Sequence, residues 1–138
     1  SRFSSDIQQT TEKALVDKQK QLLEMLSLVD DAEKVLTSKT DLNEFGRLLD
    51  YTWKLKRGIS NRISTDSIDG LYAKGIAAGA RGGKLLGAGG GGFLLFYVEP
   101  DKQEAVHKAM EELLYVPFEF ENSGTRVIHY TPETYEKR

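Results

Sequence analysis

The stretch Gly82-Gly83-Lys84-Leu85-Leu86-Gly87-Ala88-Gly89-Gly90-Gly91-Gly92 holds seven of the chain's 13 glycines, and the apolar run Phe93-Leu94-Leu95-Phe96-Tyr97-Val98 follows at once. A flexible linker is polar on both sides, whereas this stretch is flanked by apolar sequence, which places its glycines within a fold. Without a Cβ, glycine takes positive φ and lets the backbone approach another group closely. Four consecutive glycines lose much conformational entropy on ordering, so a partner must offset that loss. Phosphate oxygens held by main-chain N–H groups are such a partner. A tight hairpin between strands at Lys84 and Phe93, with glycines present only for sterics, is the alternative reading.

Two familiar phosphate loops do not fit. Gly87-x-Gly89-x-x-Gly92 matches the dinucleotide fingerprint formally, but that fingerprint needs a strand before it and a helix directly after it. Here a strand follows. A P-loop fails because Gly83-Lys84 is followed by Leu85, which has no hydroxyl to hold Mg2+.

Working outward, apolar residues at Ile7, Ala14, Leu15, Leu22, Leu26, Val29, Ala32 and Leu36 keep a 3–4 spacing, which predicts one long or broken amphipathic helix from about Ser4 to Leu36. Asp41 followed by Glu44 is a capping-box pattern for a second helix, through Trp53 to about Lys56, with Gly58 marking its end. Asp66 caps a third helix carrying Ile68, Leu71, Tyr72 and Ile76, which Gly79 and Gly82 punctuate. Strands are expected at Lys84–Leu86 and Phe93–Val98. Pro100-Asp101 opens a fourth helix with Val106, Ala109, Met110, Leu113 and Leu114 on one face. Phe118 and Phe120 alternate with Glu119 and Glu121, and Asn122-Ser123-Gly124 turns into Arg126–Tyr130, which predicts two more strands. The order gives an α+β fold with a small, mainly antiparallel sheet packed against helices.

The 138 residues amount to one domain with a single core. A net charge of −2 with interspersed signs argues against a nucleic-acid partner. No Cys is present, which removes disulfides and thiolate chemistry and is compatible with a cytoplasmic location. No apolar stretch approaches the roughly 18 residues of a membrane span. Neither His107 nor His129 has metal-ligand spacing, so no metal site is expected in the chain. Lys54, Lys56, Arg57 and Arg62 cluster near the end of the second helix, either to receive a phosphate or simply to complement a helix C-terminus. Lys84 and Arg81 flank the glycines.

The string from Gly82 to Phe93 resembles the third motif of the GHMP kinases, a superfamily that includes galactokinases, homoserine kinases and mevalonate kinases. Ile63-Ser64, Ile68-Asp69-Gly70-Leu71 and Ala78-Gly79-Ala80 are similar to the helix leading into that motif. Ser1-Arg2-Phe3-Ser4-Ser5-Asp6-Ile7 resembles the segment following a strand in the sugar-kinase branch, with galactokinase-like members. The Phe93 strand and Ile59-Ser60-Asn61 are most similar to bacterial heptose 7-phosphate kinases. The resemblance covers roughly residues 1–130. It implies a ferredoxin-like C-terminal domain whose first strand is missing, so that residues 1–138 are a piece of a longer two-domain kinase.

Further expectations follow from the resemblance. Gly87, Ala88, Gly89, Gly90 and Gly91 would face the ATP phosphates, and Arg57, Arg62 and Lys84 are candidates for a substrate phosphate. The activity implied is Mg2+- and ATP-dependent phosphoryl transfer to a sugar or sugar-phosphate hydroxyl. The family's other phosphate loop, Pro-x-x-x-Gly-Leu-x-Ser-Ser, follows none of Pro100, Pro117 and Pro132. The catalytic residues are therefore expected in an N-terminal domain, and this chain alone is expected to be inactive. An unpaired sheet edge would invite homodimerisation. The rival class is a non-catalytic ligand-binding or dimerisation domain.

Overall fold

A computed structural model describes Ser5, residues 7–9, 18–60 and 62–131. Ser5 and residues 7–9 are helical, and the expected helix across residues 10–17 lies outside the described residues. The remaining elements are α1 (Gln19–Thr37), α2 (Asn43–Ile59), α3 (Asp66–Ala78), β1 (Gly82–Leu86), β2 (Phe93–Tyr97), a 3-10 turn (Pro100–Lys102) and α4 (Gln103–Ala109). β1 and β2 form an antiparallel hairpin in which Gly82 pairs with Tyr97, Lys84 with Leu95 and Leu86 with Phe93. Leu86 and Phe93 thus close a six-residue turn made of Gly87 to Gly92. The α+β architecture expected from sequence is present.

The core forms where α2, α3 and the hairpin meet. Trp53, Ile59, Ile63, Ile68, Tyr72 and Leu85 are buried together, with Leu22, Met25, Ile76, Leu94 and Phe96 packed around them. Two glycine contacts bring the helices onto the hairpin. A Cβ on Gly82 would lie 1.9 Å from the Gly46 carbonyl oxygen, and one on Gly75 would lie 2.5 Å from the Phe96 ring. Tyr72 ties the three layers with its hydroxyl, donating to Asp50 Oδ1 at 2.9 Å and accepting the Gly83 N–H at 3.1 Å.

Helix ends differ from expectation in instructive ways. Asp41 Oδ1 accepts the Asn43 N–H at 3.0 Å, but Glu44 pairs with Arg47 at 2.6 Å instead of reaching back. Thr65, not Asp66, caps α3, its hydroxyl accepting the Ile68 N–H at 3.3 Å. Asp66 sits in the first turn, where its charge still suits the helix dipole. Gly58 lies inside α2, which ends when Ser60 turns extended. Gly79 ends α3 at φ 122° as expected, while Gly82 begins β1.

Two expectations fail outright. Phe118–Glu121 and Arg126–Tyr130 are not strands: residues 114–131 are irregular, with Phe120 87% and Ile128 88% exposed. The described sheet has only β1 and β2, and neither segment adds to its open edges. The Phe118 and Phe120 rings meet edge to face, with centroids 5.6 Å apart. α4 stops at Ala109, leaving Leu113 and Leu114 outside the helix and exposed. Leu26 and Val29 of α1 also face solvent.

Candidate functional site: the glycine turn and its flanking cations

The turn's shape follows from its residues. Gly87, Gly89, Gly90 and Gly92 have φ of 134°, 110°, 69° and 125°, values that residues with a side chain rarely adopt. Gly91 does not have a positive φ, and a Cβ there would meet nothing within 4 Å. The turn is seated, not loose. The Gly90 N–H donates to the Ile63 carbonyl at 3.1 Å, and Gly89 lies so close that a Cβ would be 3.0 Å from the same oxygen and 3.2 Å from Ile7 Cγ2. Ile7 and Ile63 are both buried, so the anchor is part of the core.

Among the described residues, Gly90 is the one turn amide with a main-chain acceptor; those of Gly87, Ala88, Gly89 and Gly91 have none. The turn is therefore a fixed stretch of bare backbone with donors to spare, which fits phosphate oxygens. No group of three or more His, Asp or Glu side chains able to hold a metal occurs among the described residues.

The cations fall into two sets. Arg57 is ion-paired with Asp69, whose other oxygen accepts the Ser64 hydroxyl at 2.7 Å. Lys54 holds Asp50 at 2.6 Å, and Arg81 holds Glu99 at 2.8 Å. Arg62 is exposed at the start of α3's approach, its N–H on Ser60 Oγ at 3.2 Å. Lys54, Arg57, Ser60, Ser64, Asp66 and Asp69 line a polar depression of about 460 Å³ that does not include the glycine turn. Lys84 is on β1 two residues before the turn's base, and exposed. Burial first, and then Lys84, hold the Lys56 ammonium below the ordinary lysine range. The sequence lists Lys56 among four similar cations, and only the packing of α2 on β1 distinguishes it.

The family described as GHMP kinases C terminal matches residues 28–116, more than half of the chain. A D-glycero-alpha-D-manno-heptose 7-phosphate kinase of Campylobacter jejuni is 33% identical over 129 residues, covering 91% of this chain and 38% of that protein. A mevalonate kinase of Pyrococcus abyssi is 36% identical over 89 residues, covering 63% of this chain and 26% of that protein. The fold is similar to that of the L. major mevalonate kinase crystallised with R-mevalonate, with a TM-score of 0.65, 23% identity, and 79% and 34% of the two chains covered. The chain thus spans well under half the length of these relatives. On the family match and the shared fold, it belongs to the GHMP kinase family, as the C-terminal domain.

Proposed function

We propose that the chain is the C-terminal part of an ATP-dependent small-molecule kinase that phosphorylates a hydroxyl of a sugar or sugar phosphate. The glycine turn, Gly87 to Gly92, lies beside the nucleotide phosphates in this reading. The observation that carries it is the seated turn, in which Gly90 alone among the turn amides has a main-chain acceptor within the described residues. ATP supplies the γ-phosphoryl group when bound. The chain's own part is electrostatic: the N–H groups of Gly87, Ala88, Gly89 and Gly91 are held in place before charge develops, so they need not reorganise. The Gly90 N–H contributes by holding the turn on Ile63. The absence of side chains keeps the path to those amides open.

The share of each relative that the chain spans supports placing the remaining catalytic residues, and the Mg2+ ligands, in a partner N-terminal domain. The heptose 7-phosphate kinase similarity favours a phosphorylated sugar as acceptor, with Arg57, Arg62 and Lys84 as the candidate cations. A cytoplasmic setting suits an ATP-dependent reaction in a chain without Cys.

Gly91→Ala tests the reading, because the position tolerates a Cβ in both space and φ. In the complete kinase containing this chain, Gly91→Ala and then Gly91→Val should lower kcat/KM for ATP while the melting temperature stays put. Full activity in both variants would remove the turn from the phosphate path.

A further inference from the structure

We propose that Asp69 is a positioning residue for the glycine turn: through Ser64 it fixes the peptide plane whose carbonyl holds Gly90. The Gly90 N–H donates to the Ile63 carbonyl at 3.1 Å. That carbonyl belongs to the same planar peptide unit as the Ser64 nitrogen, so rotating Ser64 rotates the acceptor. The Ser64 hydroxyl donates to Asp69 Oδ1 at 2.7 Å, and Asp69 Oδ2 is ion-paired with Arg57. Arg57 stands in the last turn of α2 and Asp69 in the first turn of α3, so two helices hold one carboxylate.

The tether supplies what core packing does not. Ile63 is 2% exposed, which fixes where the residue sits, but apolar burial is non-directional and does not aim its carbonyl. Ile63 lies between α2 and α3, outside any helix or strand, and its own N–H reaches the Ser60 carbonyl only at 3.4 Å. Direction matters here because the turn lies against this peptide. A Cβ on Gly89 would stand 3.0 Å from the Ile63 oxygen and 3.2 Å from its Cα, so a rotated carbonyl would displace Gly89 as well as release Gly90. A run of glycines has little preference of its own for one shape, so an outside anchor decides where its amides stand. The rival role for Asp69 is to complement the dipole of α3, which Asp66 in the same turn does equally. The tether itself does not depend on the kinase reading. That it serves phosphoryl transfer rests on the function proposed above.

The test compares Ser64→Ala, Ser64→Thr and Asp69→Ala with Asp66→Ala as control for the dipole. Hydrogen exchange of the Gly90 amide is followed by NMR in the 138-residue chain. Ser64→Ala and Asp69→Ala should speed it about three- to tenfold, the scale of one hydrogen bond, while the amides of α2 keep their protection. Ser64→Thr, which keeps the hydroxyl, should restore the parent rate, and Asp66→Ala should not change it. Should Asp69→Ala lose its fold, the two Ser64 variants decide alone, since Ser64→Ala removes one oxygen from a half-buried side chain. In the complete kinase, Ser64→Ala should lower kcat about tenfold or more with a smaller change in KM for ATP, and Ser64→Thr should recover it. Gly90 exchange at the parent rate in Ser64→Ala, or equally fast exchange in Asp66→Ala, would overturn the proposal. Faster Gly90 exchange with kcat unchanged would uphold the tether and count against the turn's place beside the nucleotide.

Discussion

Tyr72→Phe removes one oxygen and tests the seam between helices and hairpin. The ring stays, 5.9 Å from Trp53 and 5.6 Å from Phe96, so packing is nearly unchanged. What is lost is the acceptor for the buried Gly83 N–H and a donor to Asp50. An orphaned buried amide costs about 1–3 kcal/mol, and a hydrogen bond to a charged group contributes about 1.5–3 kcal/mol. These overlap, so a loss of about 2–3 kcal/mol is expected in urea unfolding followed by circular dichroism. A second signature lies at high pH. Burial, then the bond to Asp50, raises the Tyr72 pKa well above the ordinary 10.0. Above about pH 10 the unfolded chain therefore gives up this proton while the folded chain keeps it, and stability falls by up to about 1.4 kcal/mol per pH unit. Lys56, whose pKa is lowered, acts with the opposite sign below its ordinary 10.5. The comparison that matters is thus parent against Tyr72→Phe, and the deficit of the variant should shrink as pH rises past 10. A deficit under 0.5 kcal/mol, or one independent of pH, would refute the role given to the hydroxyl.

Gly82→Ala should destabilise the chain by about 1–3 kcal/mol or more in the same urea assay, because its Cβ would meet the Gly46 carbonyl oxygen at 1.9 Å. Gly75→Ala should cost a similar amount, and a double-mutant cycle with Phe96→Leu should recover part of it, since the Phe96 ring is the obstacle at 2.5 Å. Gly70→Ala should do the reverse and stabilise by about 1 kcal/mol, its helical site being exposed with nothing within 4 Å. The 138-residue chain alone should release no ADP with ATP and a sugar or sugar phosphate in a coupled assay; measurable turnover would contradict the division of labour proposed above.

The hairpin was legible because its signals are local: an apolar run after a glycine cluster permits little else. Helix existence was legible for the same reason, whereas helix ends were decided by single oxygens. Thr65 and Asp66 are both good caps, and only the backbone turning extended at Thr65 selects between them. The strands expected at Phe118 and Arg126 show the opposite limit. Alternation records a capacity to pair, not a partner, and the segments stay off the open edges of β1 and β2. In the candidate site, the bare backbone of the turn could be read from residue types. The capture of Arg57 by Asp69 is a product of α2 packing beside α3, and spacing along the chain carries no trace of it.

Trp53 is the single tryptophan, 2% exposed, and its indole N–H has no acceptor among the described residues. An indole held dry and unbonded emits at short wavelength, and water reddens it. Because that ring sits where α2, α3 and β1 converge, the chain carries its own optical gauge of whether this junction is closed. Any ligand that tightens or loosens the seam should be visible in the colour of one fluorophore, with no label attached.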